Sequence, residues 1–144
     1  MQKVRQERFV LRITLYLLRA NGFDSPTKKH VLNFIRGKNL LKFPDKDLKW
    51  SGGSDSVWEN DIAWKRKDLF MDGEIDSPER RKWRLTELGV RKVDGTKAKW
   101  LKLEDEAEMR RFLADFDYFT EDLVRWLLKI SKGDGLPSIK WTPI

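Results

Sequence analysis

Residues 56–89, SVWENDIAWKRKDLFMDGEIDSPERRKWRLTELG, decide how the rest of the chain is read. Ser56 with Glu59 three positions later forms a capping box, which satisfies the unpaired N–H groups at a helix start. Stepping 100° per residue from Ile62 places Trp58 and Leu69 in the same narrow arc, with Ala63 and Phe70 widening it on one side. Asn60, Trp64, Lys67 and Met71 point the opposite way, with Asp61 and Asp68 beside them. Gly73 is expected to stop this helix by taking a positive φ. Beyond it, Glu74-Ile75, the turn Ser77-Pro78-Glu79 and residues 81–85 read as a short two-stranded ribbon. Alternation puts Arg81, Trp83 and Leu85 on one face and Arg80, Lys82 and Arg84 on the other. Thr86 caps a further helix. A helix that ends in glycine and runs into a basic hairpin is the pattern of a winged helix-turn-helix. The expected fold class is therefore mainly α with a small β-ribbon, followed by a C-terminal helical extension.

Toward the N-terminus, Phe9, Ile13 and Leu17 recur every four residues, thickened by Val10, Leu11, Leu15 and Leu18, as in a buried first helix ending near Asn21-Gly22. The charges Lys3, Arg5 and Arg8 precede this stretch and Arg12 interrupts it. No small-residue cleavage site follows, and the stretch is too short to span a bilayer, so it reads as a core helix. Ser25-Pro26 reads as a cap with proline at the first helical position, and a second helix through Val31, Leu32 and Ile35 stops at Gly37. Leu40, Leu41 and Phe43 lead into a connection marked by Pro44 and Ser51-Gly52-Gly53-Ser54. That connection is long for a helix-turn-helix, and residues 45–50 are candidates for an extra turn.

Toward the C-terminus, Asp94-Gly95 is a turn signal, and residues 98–103 read as a short strand or an extended linker. A helix from 104 to 116 carries Met109, Phe112, Leu113 and Phe116 on its apolar side. Thr120-Glu121-Asp122 opens a last helix ended by Gly133 and Gly135. The expected division is a winged-helix domain over 1–93 and a helical extension over 94–144, acting as a packing element or a dimerisation element.

Composition agrees with a folded, basic protein. The apolar share of 40% supports a packed core. The formal charge of +7 is uneven. Residues 1–50 carry 12 basic and 4 acidic side chains, residues 51–99 carry 11 and 10, and residues 100–144 carry 7 and 9. A basic front half fits an anionic partner on one side, although solubility alone would also explain it. The absence of cysteine excludes disulfides and thiolate-ligated metal centres and fits a reducing cytoplasm.

The run WENDIAW, then Leu69, then GEIDSPERRKWRLTELG, resembles the winged-helix domain at the N-terminus of Mrr-type restriction proteins, which is related to DNA-reading winged helices of methyladenine-dependent restriction enzymes. Trp58, Asn60, Ile62, Trp64, Leu69, Gly73, Ile75, Pro78, Arg80, Trp83, Leu85, Thr86 and Gly89 occupy the places of that pattern. Lys65 stands where a small apolar residue is usual, and Arg81 stands where the wing usually has glycine. The second departure is expected to make the wing more basic and less tightly turned. The resemblance implies a DNA reader of a restriction or defence system, cytoplasmic and nucleoid-associated. It also implies a nuclease subunit or a fused nuclease domain as partner.

Little in the chain points to catalysis. His30 has no His or Cys partner at ligand spacing and reads as a solvated or core histidine rather than a metal ligand. Glycine-rich phosphate loops, serine elbows and paired-histidine signatures are missing from the sequence. Metal-dependent cleavage needs spaced carboxylates and a lysine on a mixed sheet, whereas Asp and Glu here fall mostly on helix faces. No catalytic residue, metal or cofactor is expected, and the expected partner is double-stranded DNA. Asn60 suits a bidentate contact with adenine, and Lys67 suits guanine or phosphate. The rival readings are a local cap and a solvated lysine. Trp64 is either covered by another element or offers a flat face to a ligand. The resemblance adds that Trp64, with Trp58 or Trp83, would wall a methylated adenine. Lys65 completes the candidate residues on the helix, and Arg80, Arg81, Lys82 and Arg84 are candidates for phosphate contacts. Asp61, Asp68 and Asp72 argue the other way, because they would repel phosphates. The alternatives are therefore a dimeric transcription regulator and a winged helix that binds protein instead of DNA.

Overall fold

Helix α1 (Lys3–Ala20) is buried on nearly every side, and the other elements are placed by what they pack against it. A computed structural model describes residues 3–42, 48, 56–101 and 106–131, apart from the side chains of 97–101, 112, 130 and 131. In α1, Val10, Leu11, Ile13, Leu15, Leu17 and Leu18 are buried, because α2 (Lys28–Gly37), α3 (Val57–Met71), β2 (Arg84–Leu85) and α4 (Glu87–Leu101) all contact it. Gly22, at φ 92°, makes the left-handed turn that ends α1.

Helix α2 starts two residues later than Ser25-Pro26 predicts. Thr27 is the N-cap: its hydroxyl accepts from the His30 N–H, and His30 Nδ1 accepts from the Thr27 N–H. Pro26 precedes the cap because its carbonyl is taken by the Trp83 N–H at 2.7 Å. Thr27 is thereby drawn into a bridge with Lys82. His30, expected to be solvated or in the core, is half-buried and completes the capping box.

Helix α3 keeps the predicted cap and inward stripe. Ser56 and Glu59 form the capping box, and Trp58, Ile62 and Leu69 are its buried residues. Phe70 departs from expectation: it is exposed, with the Arg66 guanidinium 4.9 Å from its ring centroid. Gly73 turns the chain at φ 78°. Strand β1 (Ile75–Asp76) then pairs antiparallel with β2, Ile75 opposite Leu85 and Asp76 opposite Arg84. With Thr27 bridged to Lys82, three short segments form the ribbon of a winged helix. The ribbon is shorter than alternation from 81 implies. Arg81 has a φ of 67°, which breaks the alternation and leaves it exposed while Trp83 and Leu85 are buried.

Thr86 caps α4, accepting from the Gly89 N–H and donating to the Gly73 carbonyl. The helix runs through Asp94-Gly95 without a turn, and residues 98–101 are helical rather than strand or linker. One glycine costs a helix interior only about 1 kcal/mol, which tertiary packing overrides: α4 contacts α1, β2 and the last helix. Val93 belongs to a core that continues from α1 through Met109 and Leu113 of α5 (Glu106–Leu113) to Leu123, Leu127 and Leu128 of α6 (Glu121–Ser131). Gln6 ties the extension to α1: its amide donates to Asp117 and its carbonyl accepts from the Tyr118 N–H. Leu41 and Phe119 form a further bridge. Of the expected extra turn at 45–50 only Leu48 is described, and the end of the last helix at Gly133 and Gly135 lies outside the described residues.

Two glycines of α4 give one test of this packing. A Cβ on Gly89 would stand 2.4 Å from the Glu74 carbonyl oxygen and 2.6 Å from Leu85 Cδ1, whereas one on Gly95 would meet nothing within 4 Å. Gly95→Ala is expected to stabilise by up to about 1 kcal/mol through helix propensity. Gly89→Ala makes the same local gain but overpacks, at a cost of about 1–3 kcal/mol, and the clash with backbone should make it a net loss. Urea denaturation of both variants checks the opposite signs. Equal effects would disprove the close approach of α4 to the wing root.

Candidate nucleic-acid interface

The outward face of α3 is where the helix fails to be amphipathic, because apolar residues stand on both of its sides. Trp64 is 54% exposed and Met71 75% exposed, although the stripe Trp58, Ile62 and Leu69 already supplies the core contact. Asn60 and Lys67 share that outward face by helical spacing, Asn60 half-buried and Lys67 exposed. The Lys67 Nζ lies 5.0 Å from the centroid of the Trp64 ring. Lys65 is half-buried and falls by the same spacing between this face and the core stripe, on the flank toward α1. At 15 residues, α3 is about 22 Å long, and nothing described crosses its outward face.

The acidic residues that argue against a phosphate-bearing partner are largely neutralised. Asp61 accepts from Lys3 Nζ at 3.4 Å, and Asp68 accepts from Arg8 Nη2 at 3.0 Å. Both carboxylates are thereby paired with cations of α1 on the flank beside Trp64. Asp72, the C-cap of α3, is exposed at its far end.

The wing is anchored to the body at its root and braced across its two strands. At its root Glu74 is fully buried, accepting from Arg12 Nε at 2.6 Å and Nη2 at 3.2 Å, and from Lys92 Nζ at 3.3 Å. Burial alone would push this carboxyl up. The hydrogen bonds and charges of Arg12, then Lys92, outweigh it and hold the pKa below the usual glutamate value. Along the ribbon, Arg84 donates to both oxygens of Asp76 at 2.8 Å, which lowers the Asp76 pKa through those hydrogen bonds. Arg84 is thus committed to its cross-strand neighbour.

Arg66, which sequence reasoning passed over, links α3 to the wing. Its Nη2 donates to Ser77 Oγ at 2.5 Å, and its guanidinium lies 4.9 Å from the Phe70 ring and 5.9 Å from that of Trp83. The pattern did mark it: helical spacing puts Arg66 between Ile62 and Phe70, inside the inward arc, where a cation needs a partner.

Arg80 and Arg81 are exposed at the wing tip, and Lys82 is half-buried beside Thr27. The expectation that Arg81 loosens the wing is corrected: the turn closes as it would around glycine, and Arg81 adopts the left-handed backbone, a conformation that costs an L residue about 1–2 kcal/mol. The expected aromatic wall is not formed either. Trp58 and Trp83 are buried in the core, which leaves Trp64 alone on the outward face.

A family model for the Mrr N-terminal domain matches residues 11–94, more than half of the chain. The chain belongs to the Mrr N-terminal domain family. The match runs from within α1 to within α4 and so takes in α2, α3, the ribbon and the anchoring residues Arg12, Glu74 and Lys92 of this Mrr N-terminal domain. No curated protein and no solved structure matches the chain. Family membership associates the chain with Mrr-type restriction systems.

Proposed function

We propose that this Mrr N-terminal domain is a non-catalytic reader of double-stranded DNA, with α3 in the major groove and the wing tip against the sugar-phosphate backbone. The observation that carries the reading is the exposed, unused face of α3, with Asn60, Trp64 and Lys67 beside a wing that ends in Arg80 and Arg81. A major groove about 12 Å wide admits such a helix. Asn60 supplies the donor and acceptor pair that matches adenine, and Lys67 suits guanine or a phosphate. Trp64 offers a flat apolar surface for the base edges, including a methyl group on adenine or thymine. The chain thereby serves a nuclease subunit or nuclease domain of a restriction system as its reader.

A titration against randomised duplexes, adenine-methylated and unmethylated, tests this directly. Wild-type protein enriches a subset of duplexes. Asn60→Ala binds them about 1–3 kcal/mol more weakly, with discrimination lost at one base pair. Trp64→Ala binds weakly yet unfolds at the wild-type temperature, because Trp64 contributes little to the core. Failure to enrich any duplex, methylated or not, overturns the reading.

A protein-binding winged helix would also use Trp64 and Met71, since exposed aromatic residues are common anchors of protein interfaces. Affinity for duplexes that depends on Arg80 and Arg81 separates the two.

A further inference from the structure

Beside the wing, a second surface gathers three cations around one cleft. Lys28 and Lys29 occupy the first turn of α2, which contains no acidic residue. Cations there oppose the helix dipole. Arg81, across from them, sits in the strained left-handed conformation. These three cations line a cleft of about 510 Å³ with Thr27 and the edge of Trp83. A smaller adjoining hollow of about 190 Å³, lined by Lys28, Lys29, Leu32, Asn33 and Glu59, continues it to the first turn of α3. Glu59, the acidic group on that wall, is occupied by the Ser56 cap and by Arg36 at 3.5 Å. The Thr27–Lys82 bridge fixes α2 and the wing to each other, so the spacing of the cations is set by backbone.

Cations gathered around one open cleft beside a reader helix suit a polyanion. We infer that this cleft seats the phosphodiester backbone of one strand of the duplex whose groove takes α3, with Lys28 and Lys29 as phosphate contacts additional to the wing. The inference rests on the DNA-reading proposal. It assigns a track running from the wing across the start of α2 to the first turn of α3, and it enlarges the footprint beyond the α3 face and wing tip.

The test compares wild type, Lys28→Glu/Lys29→Glu and Lys29→Gln in duplex titrations over a range of salt, with thermal unfolding of each. Removing two phosphate contacts should lower the magnitude of the log–log salt slope by about 2, and Lys29→Gln should lower it by about 1. Affinity of the double variant should fall at least about tenfold. Its unfolding temperature should stay level or rise, since glutamate suits a helix start. A structural role for the lysines would instead lower that temperature. Should the double variant lose stability, Lys29→Gln, whose side chain is exposed, decides. Unchanged affinity and slope, with Arg80→Glu still weakening binding, overturn the cleft and leave the reader standing. No duplex binding by wild type overturns both. Stabilisation of wild type by inorganic phosphate that the double variant abolishes, with duplex affinity unchanged, assigns the cleft to a free anion and overturns this proposal.

Discussion

Glu74→Ala is expected to lower the unfolding free energy by about 3 kcal/mol, the low end of the range for breaking a buried ion pair. The low end applies because Arg12 and Lys92 keep 26% and 48% of their side-chain surface in water and are not stranded when the carboxylate goes. A loss of that size should lower the unfolding temperature by roughly 10 °C for a domain of this length. Glu74→Gln, which keeps the volume and one acceptor, should lose less.

The pH dependence follows from the direction of the shift. The folded pKa of Glu74 lies below its unfolded value, so the native state holds the proton less readily than the unfolded chain. The stabilisation is complete at neutral pH and erodes as the pH falls below about 4.3 toward the folded pKa. Urea denaturation at stepped pH should show wild type losing more stability between neutral and acidic solution than Glu74→Gln does. Parallel curves for the two, or a change within about 0.5 kcal/mol for Glu74→Ala, would mean that the triad does not anchor the wing.

The second large effect concerns binding. Lys67→Glu/Arg80→Glu/Arg81→Glu removes three exposed cations from the α3 face and the wing tip. Charge-assisted contacts are worth about 1.5 kcal/mol each at the low end, roughly tenfold in affinity, so the triple variant should bind duplexes about a thousandfold more weakly. Its stability should stay close to wild type, because Lys67 leans on the Trp64 ring at the surface and the two arginines are exposed. Arg84 is left out of this variant because its reversal would break the paired Asp76 and confound folding with binding. Retained affinity in the folded triple variant would favour the protein-interaction reading.

How much of this was legible in the sequence depended on whether the physics was local. The Ser56–Glu59 cap, the Trp58, Ile62 and Leu69 stripe and the turn at Gly73 are set within a few residues, and all three are found as predicted. The errors lie where a distant partner decides. Pro26 looks like a first helical residue until the Trp83 N–H claims its carbonyl. Asp94-Gly95 looks like a turn until α1, β2 and α6 pack α4 into a continuous helix. The same limit applies to the site. Helical spacing placed Asn60, Trp64 and Lys67 together. It could not show that Lys3 and Arg8, from 58 and 60 residues away, neutralise Asp61 and Asp68. The bond that commits Arg84 to Asp76 depends on strand register, which the sequence leaves open at so short a ribbon. Lys28 and Lys29 did carry a signal: two cations at a helix start, where the dipole disfavours them.

The most direct measurement of the central claim is the salt dependence of wild-type affinity for a single enriched duplex. With Lys67, Arg80 and Arg81 on phosphates, and Lys28 and Lys29 added by the cleft, log affinity should fall against log salt with a slope between about −3 and about −5. A slope near zero would contradict the account, because a cationic wing and helix that embrace DNA must release counterions when they bind.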